Sequence, residues 1–386
     1  MTHFVDPRTN PEPPPQVSRQ PAAHGEELRD LIAACLAGRV YDVERWIQAG
    51  RPIQALDYKR PKRSPVVSPL RAAIGRGNRD LVLLLLCNGY RLDLEPAGYD
   101  SVLDDTLTAR AFDIMDLLLK WGADPTKVHV YHVLDTYQTE LIDRFWQAGL
   151  DFSADSSFVS YLAETPNKAL YGWLKHHRSD RRLQDALDVA LCEAVKEGKV
   201  MAVHLLRWAG ADPHRKVASA SDLGRDDAWD EEMVSSSAEM AILYGRHELF
   251  HVLRVAELPD VDAQFSRVDD IATLKALLAI RQPSDWSGVV VNFLRQLRRT
   301  FLRESGWEAR AALEFIATSG GRLTAVTPDE LRWLRQGLLA IDGANDFQWA
   351  LRWLRQEKRC DPAIYADLIR TPSMKRKMEK MNRGVR

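Results

Sequence analysis

The stretch SPLRAAIGRGNRDLVLLLLCNGY, residues 68–90, carries Gly77 and Gly89 twelve positions apart and an unbroken apolar run from Leu81 to Cys87. Small residues, Ala72 and Ala73, precede the first glycine, and clustered leucines, Leu84, Leu85 and Leu86, precede the second. The pattern predicts two helices, each ended by a glycine, because a residue without Cβ accepts the left-handed conformation that closes a helix. One such hairpin cannot cover its own apolar run, so similar units are expected on either side.

The chain supplies them. LIAACLAGRVYDVERWIQAG (31–50) has Gly38 and Gly50 twelve apart, and LCEAVKEGKVMAVHLLRWAGADP (191–213) has Gly198 and Gly210 twelve apart. LTARAFDIMDLLLKWGADP (107–125) keeps Gly122, repeats the leucine cluster as Leu117, Leu118 and Leu119, and places Arg110 where the first glycine would fall. GADP occurs at 122–125 and again at 210–213. Weaker copies follow at 128–152, where Tyr137 replaces the first glycine and Gly149 is kept, at 157–180, at 237–255, which keeps Gly245 alone, and at 268–280. Self-similarity at a fixed period indicates a solenoid.

These residues resemble the ankyrin repeat. Ser68-Pro69-Leu70-Arg71 stands at that family's Thr-Pro-Leu-His helix start, with Arg71 for the histidine, and Gly77, Leu85, Leu86, Gly89 and the GAD turns fall on its other marks. The resemblance is specific at 27–125 and 183–213 and degenerate elsewhere. It implies an all-α, ankyrin-type helical solenoid of about seven or eight repeats over residues 26–283. It also implies a non-enzymatic scaffold or adaptor that binds another protein through turn tips, first helices and long loops. The contact residues expected on that basis are Arg71, Tyr90, Arg91, Asp124 and Asp212. Two loops longer than the period add the basic cluster Lys59, Arg60, Lys62 and Arg63, and the acidic loop around Asp227 and Trp229.

The flanks read differently. Residues 1–25 hold six prolines and no periodicity, and are expected to form a disordered tail. Residues 284–372 are expected to form a helical cap or small bundle, with Val290, Phe293, Leu294, Leu297 and Phe301 at helical spacing and a capping box from Thr327 to Glu330. The last residues, 373–386, are expected to be a fraying basic tail.

Composition narrows the chemistry. A net charge of −1 predicts no global attraction to nucleic acid. Cys35, Cys87, Cys192 and Cys360 form no C-x-x-C pair and read as buried thiols of a reducing, cytoplasmic compartment. No apolar run exceeds seven residues, so neither a membrane span nor a secretory leader is expected. No phosphate-binding or nucleophile-elbow motif is present, and no cofactor is expected. One enzyme signature does occur, His247-Glu248-Leu249-Phe250-His251, the H-E-x-x-H of zinc hydrolases. Its position just after Gly245 places it in the second helix of a repeat, with Leu249, Phe250, Val252 and Leu253 buried and both histidines outside, and no third ligand is evident. The alternatives are a divergent zinc hydrolase at His247 and His251, and a regulatory subunit of a defence or effector system whose basic C-terminal helices contact nucleic acid. Arg295, Arg298, Arg299, Arg332, Arg335, Arg352, Arg355 and Arg359 lie there with Trp333, Trp349 and Trp353. Helical spacing instead puts those tryptophans in the core and the arginines on the solvated side.

Overall fold

A computed structural model describes residues 20–58, 68–95, 101–217, 235–296, 303–341, 344–356 and 359–383. The chain is mostly helical and divides into two compact units, residues 1–161 with 167–177, and residues 162–166 with 178–386. The compositional change at residue 284 falls inside the second unit, not between units.

In the first unit, helices come in pairs: α1 (Arg29–Leu36) with α2 (Val40–Gln48), α3 (Pro69–Gly75) with α4 (Arg79–Cys87), α5 (Val102–Thr108) with α6 (Phe112–Lys120), and α7 (Val130–Leu134) with α8 (Thr139–Gln147). First helices meet first helices, α1 on α3, α3 on α5 and α5 on α7, while α2 packs on α4 and α4 on α6. α9 (Ser156–Glu164) and α10 (Lys168–His177) follow, α10 resting on α8. Ser68 starts α3 as expected, its Oγ accepting from the Arg71 N–H at 3.1 Å, with Pro69 in the first turn. Leu85 and Leu86 are buried, as are Leu117 and Leu118, whereas Leu84 and Leu119 are only half-buried. The apolar run of α4 is thus covered from both neighbouring pairs.

The turn between paired helices needs positive φ. Gly77 meets this at +66°, and the two residues that replace glycine there, Arg110 and Tyr137, are forced to +54° and +59°. A side chain in that conformation costs about 1–2 kcal/mol. Arg110 is exposed, so Arg110→Gly is expected to raise the unfolding free energy by about 1 kcal/mol in a urea titration. No gain would mean that the turn is not strained.

In the second unit α11 (Arg181–Lys196) packs on α12 (Val200–Ala209) and α13 (Ser237–Leu243). The pair that begins with α13 has lost its second α-helix. A 3-10 turn, His247–Leu249, and further turns take its place, and Arg254 closes the segment at φ +54°. After α14 (Val261–Gln264) and α15 (Ile271–Ile280) come α16 (Ser287–Gln296), α17 (Arg303–Thr318), α18 (Pro328–Leu339), α19 (Ala344–Leu354), α20 (Pro362–Ile369) and α21 (Pro372–Arg383). Val290, Phe293 and Leu294 of α16 are buried as expected, and Thr327 and Glu330 form the expected capping box; Leu297 and Phe301 lie outside the described residues.

Both expected tails are corrected in part. The residues Ala22–His24 form a strand, β1, paired in parallel with β2 (Ala55–Asp57), and Ala22 is buried. The rest of the proline-rich stretch, 1–19, lies outside the described residues. The basic segment is helical as far as Arg383, beyond which 384–386 lie outside the described residues: α21 packs on α18, α19 and α20, Met374 is fully buried, and Lys377 Nζ donates to the Leu339 and Ile341 carbonyls at 3.0 and 2.8 Å. Lys377 thereby satisfies the open carbonyls at the end of α18.

Candidate protein-docking surface

The fourth residue of the Ser68-Pro69-Leu70-Arg71 motif lies six positions before its turn glycine. In the other pairs with the motif's turn, the equivalent residues are Ile32, Asp104, Tyr131 and, in the second unit, Cys192 and Glu239. Arg71, Asp104 and Glu239 are inward-facing polar groups that tie one helix pair to the next, whereas Ile32 is half-buried and Cys192 is a buried thiol. Arg71 donates through Nε to Glu95 at 3.2 Å and through Nη1 to Asp105 of α5 at 2.6 Å. Asp104, 1% exposed, accepts the Ser101 N–H at 2.8 Å and the His129 N–H at 3.0 Å, and so links α5 to the entry of α7. Burial holds the Asp104 carboxyl above the usual carboxylate range, against the pull of those N–H groups. Glu239 accepts the Ser236 N–H at 2.7 Å and the Gln264 side chain at 3.3 Å. Asp188 of α11 does the same for the second GADP turn, accepting from the Asp212 N–H at 2.7 Å, Gln184 at 2.8 Å and Arg215 at 3.0 Å.

Tyr131 breaks the pattern. Its side chain turns outward and is 49% exposed. Its ring meets His132 edge-on at 5.6 Å and Tyr161 at 6.2 Å, and His132 Nδ1 lies 3.3 Å from Thr108 Oγ1 of α5. Tyr137, at the left-handed turn that ends α7, is 50% exposed. The Tyr161 hydroxyl donates to the Leu134 carbonyl at 3.3 Å, and its burial, with Tyr137 beside it, pushes its pKa far up. Two half-exposed tyrosines and a histidine pair, His129 and His132, therefore gather on one first helix and its turns. Rigid aromatics with a polar tip bury large area at little entropic cost, which suits them to protein contacts. The sequence reading passed over this cluster. The only signal for it was Tyr131 occupying the position held elsewhere by Arg71, Asp104 and Glu239.

The contact residues expected from the sequence are dispersed. Tyr90 is fully buried, its hydroxyl donating to Glu95 Oε1, so it presents nothing to a partner. Arg71 is likewise withdrawn, its side chain 12% exposed between two carboxylates. Both expectations are corrected for the same reason: Glu95, on the turn that leaves α4, draws them inward. Arg91 is on the surface but closes on Asp93, with Nε 3.1 Å from Oδ1. Asp124 and Asp212 are exposed, yet each carboxylate serves its own turn. Asp124 Oδ1 accepts from the Thr126 N–H at 3.0 Å and hydroxyl at 2.7 Å, which hold it below the usual range, and Asp212 Oδ1 accepts from the His214 N–H at 3.0 Å. Lys59, Arg60, Lys62, Arg63, Asp227 and Trp229 lie outside the described residues.

His247 and His251 are exposed, as expected, but not on a second helix. The 3-10 turn at 247–249 abolishes the α-helical register that H-E-x-x-H requires. Val252, expected to be buried, is half-exposed. Among the described residues no group of three or more His, Cys, Asp or Glu side chains is placed to hold a metal. The cysteines form no disulfide; Cys35, Cys192 and Cys360 are buried, and burial pushes their thiols up to about 12, 11 and 11, while Cys87 is half-buried.

The basic C-terminal helices spend much of their charge internally. Arg359 pairs with Glu314 at 2.9 Å and lies over the Trp353 ring, Arg335 donates to the Asp367 carbonyl at 3.0 Å, Arg352 to the Gln348 carbonyl at 3.3 Å, and Arg332 pairs with Asp329 at 3.3 Å. Arg355 is exposed. Of the three tryptophans expected in the core, Trp353 is buried, Trp349 is half-buried under Arg310, and Trp333 is 48% exposed, a correction to the stripe reading. Arg298 and Arg299 lie outside the described residues, as does the side chain of Arg295.

No helix among the described residues is long and apolar enough to cross a membrane. Neither a family model nor a curated protein matches the chain.

Proposed function

We propose that the chain is a non-enzymatic, ankyrin-type adaptor that binds another protein on the first-helix face around Tyr131, His132 and Tyr137. The observation that carries the reading is the exposure of Tyr131 at a position where Arg71, Asp104 and Glu239 turn inward to join helix pairs. The ankyrin-type assignment is supported by the side-by-side packing of α1, α3, α5 and α7 and by the positive φ at each turn glycine marked in the sequence. A row of parallel first helices offers a continuous surface on which modest contacts sum to specific affinity.

Affinity capture from a lysate of the source cells tests the reading. The full chain is expected to retain a protein partner that the double variant Tyr131→Ser, Tyr137→Gly binds at least about tenfold more weakly, with a melting temperature no lower than that of the unaltered chain, because glycine relieves the positive φ at 137. Equal retention by both would remove the tyrosine face from the site. Retention of no protein by either would remove the adaptor reading.

A further inference from the structure

In the first unit the row of second helices opens between α6 and α8. α2 packs on α4 and α4 on α6, but between α6 and α8 lies a cleft of about 700 Å³. α8 instead turns its Trp146 toward the following elements, where it stacks on Phe152 at 5.9 Å and meets Trp173 edge-on at 5.9 Å. The cleft is lined with apolar side chains, Phe112 and Leu119 from α6 over the buried Met115, and Leu141 from α8 over the buried Phe145. Leu119 and Phe112 stay half-exposed in it, so the cleft is not sealed by its own walls.

The rim is polar and asymmetric. Asp113 and Glu140 occupy the same place, the second residue, in α6 and α8, and both are exposed. One turn on, Asp116 is neutralised by Arg144, and Asp143 receives the Trp173 indole N–H at 3.2 Å with His177 Nε2 at 3.4 Å. At the far end the two walls finish in Lys120 and Gln147, both of which line the cleft. The rim is therefore anionic over the first turns of both helices and cationic or neutral at the other end. Each nine-residue wall is about 13 Å long, room for about two to two and a half turns of a docked helix.

From this juxtaposition we infer that the α6–α8 cleft seats a short amphipathic helix of a partner protein, its apolar face on Phe112 and Leu119 and the edge of Leu141, and its lysine- or arginine-bearing end over Asp113 and Glu140. An apolar face spaced i, i+3, i+4, i+7 fills such a groove, and the opposed rim charge fixes its direction. This site is separate from the tyrosine face, so either can fail alone.

The test uses the full-length chain and three fluorescein-labelled peptides in fluorescence anisotropy: a leucine–lysine amphipathic helix, the same peptide with glutamate for lysine, and a lysine peptide without leucine. The leucine–lysine helix is expected to bind at least about tenfold more tightly than either of the others. Asp113→Lys with Glu140→Lys is expected to weaken it at least about tenfold, as is Leu119→Gln, whereas Asp42→Lys with Asp80→Lys, an equal charge change on α2 and α4, leaves it unchanged. Equal binding of the leucine–glutamate helix, equal binding of the leucine-free peptide, or equal sensitivity to the Asp42 and Asp80 changes would overturn the assignment, as would no binding at all. Circular dichroism of each variant confirms folding, and Leu119→Gln, at a half-exposed position, keeps the apolar requirement testable if the charge variants fold poorly.

Discussion

Arg71→Ala is expected to lower the unfolding free energy by about 3–5 kcal/mol, the cost of stripping the partner from a buried charge. The guanidinium, on α3, holds Glu95 at 3.2 Å and Asp105 of α5 at 2.6 Å, and the Glu95 side chain is 10% exposed. Ser68 Oγ, 3.2 Å from Glu95, and the Tyr90 hydroxyl would remain as its donors, two neutral groups on a desolvated carboxylate. Replacing Glu95 by glutamine in the same chain is expected to restore much of the loss, because a neutral amide in that place no longer needs a cation. Were Arg71 a surface contact, its removal would cost less than about 0.5 kcal/mol and would show only in binding.

The same cluster gives a pH signature. Burial pushes the Asp105 carboxyl up to about 6, Arg71 pulling it back and Glu95 pushing it further. The folded chain therefore keeps that proton to about pH 6, while the unfolded chain releases it near the ordinary carboxylate value of about 3.9. The folded state binds more protons in this window, so the Asp105 contribution to stability falls as pH rises from about 4 to about 6 and is constant above it. Asp105→Asn should flatten that part of the profile in denaturant titrations at several pH values.

Leu85→Ala is expected to cost about 2–5 kcal/mol, because α4 lies between α2 and α6 and the truncated side chain leaves a void that neither can fill. Leu85 is 0% exposed. Arg79→Ala, six residues earlier on the exposed side of the same helix, should cost less than about 0.5 kcal/mol. Urea unfolding of the two variants side by side checks the facing of α4, and equal losses would refute it.

The helix pairs were legible because their marks are local: a glycine after each helix, paired leucines in the second, a serine–proline start in the first. Even the departures were visible, since Arg110 and Tyr137 fall where glycine belongs and take its conformation anyway. What escaped was decided by neighbours. Tyr90 looks like a turn residue open to solvent until Glu95 is seen to take its hydroxyl. Asp104 and Asp188 look like solvated helix positions, yet each receives the backbone of a turn more than twenty residues away. α21 looks like a charged tail, and only the docking of Met374 and the two carbonyls capped by Lys377 explain its helix. The outward turn of Tyr131 belongs to the same class, because no periodicity distinguishes it from Arg71.

The central proposition is that successive helix pairs of the first unit lie side by side. Spin labels report this directly. Tyr41, Asp80, Asp113 and Glu140 are exposed and are each the second residue of α2, α4, α6 and α8. In a Cys87→Ser background, electron spin resonance distances from a label at 41 to labels at 80, 113 and 140 should climb in steps of about 10 Å, the spacing of packed helices, with the last step the widest because of the cleft. A label at 140 no farther from 41 than the label at 80 would contradict the side-by-side arrangement and the docking surfaces built on it.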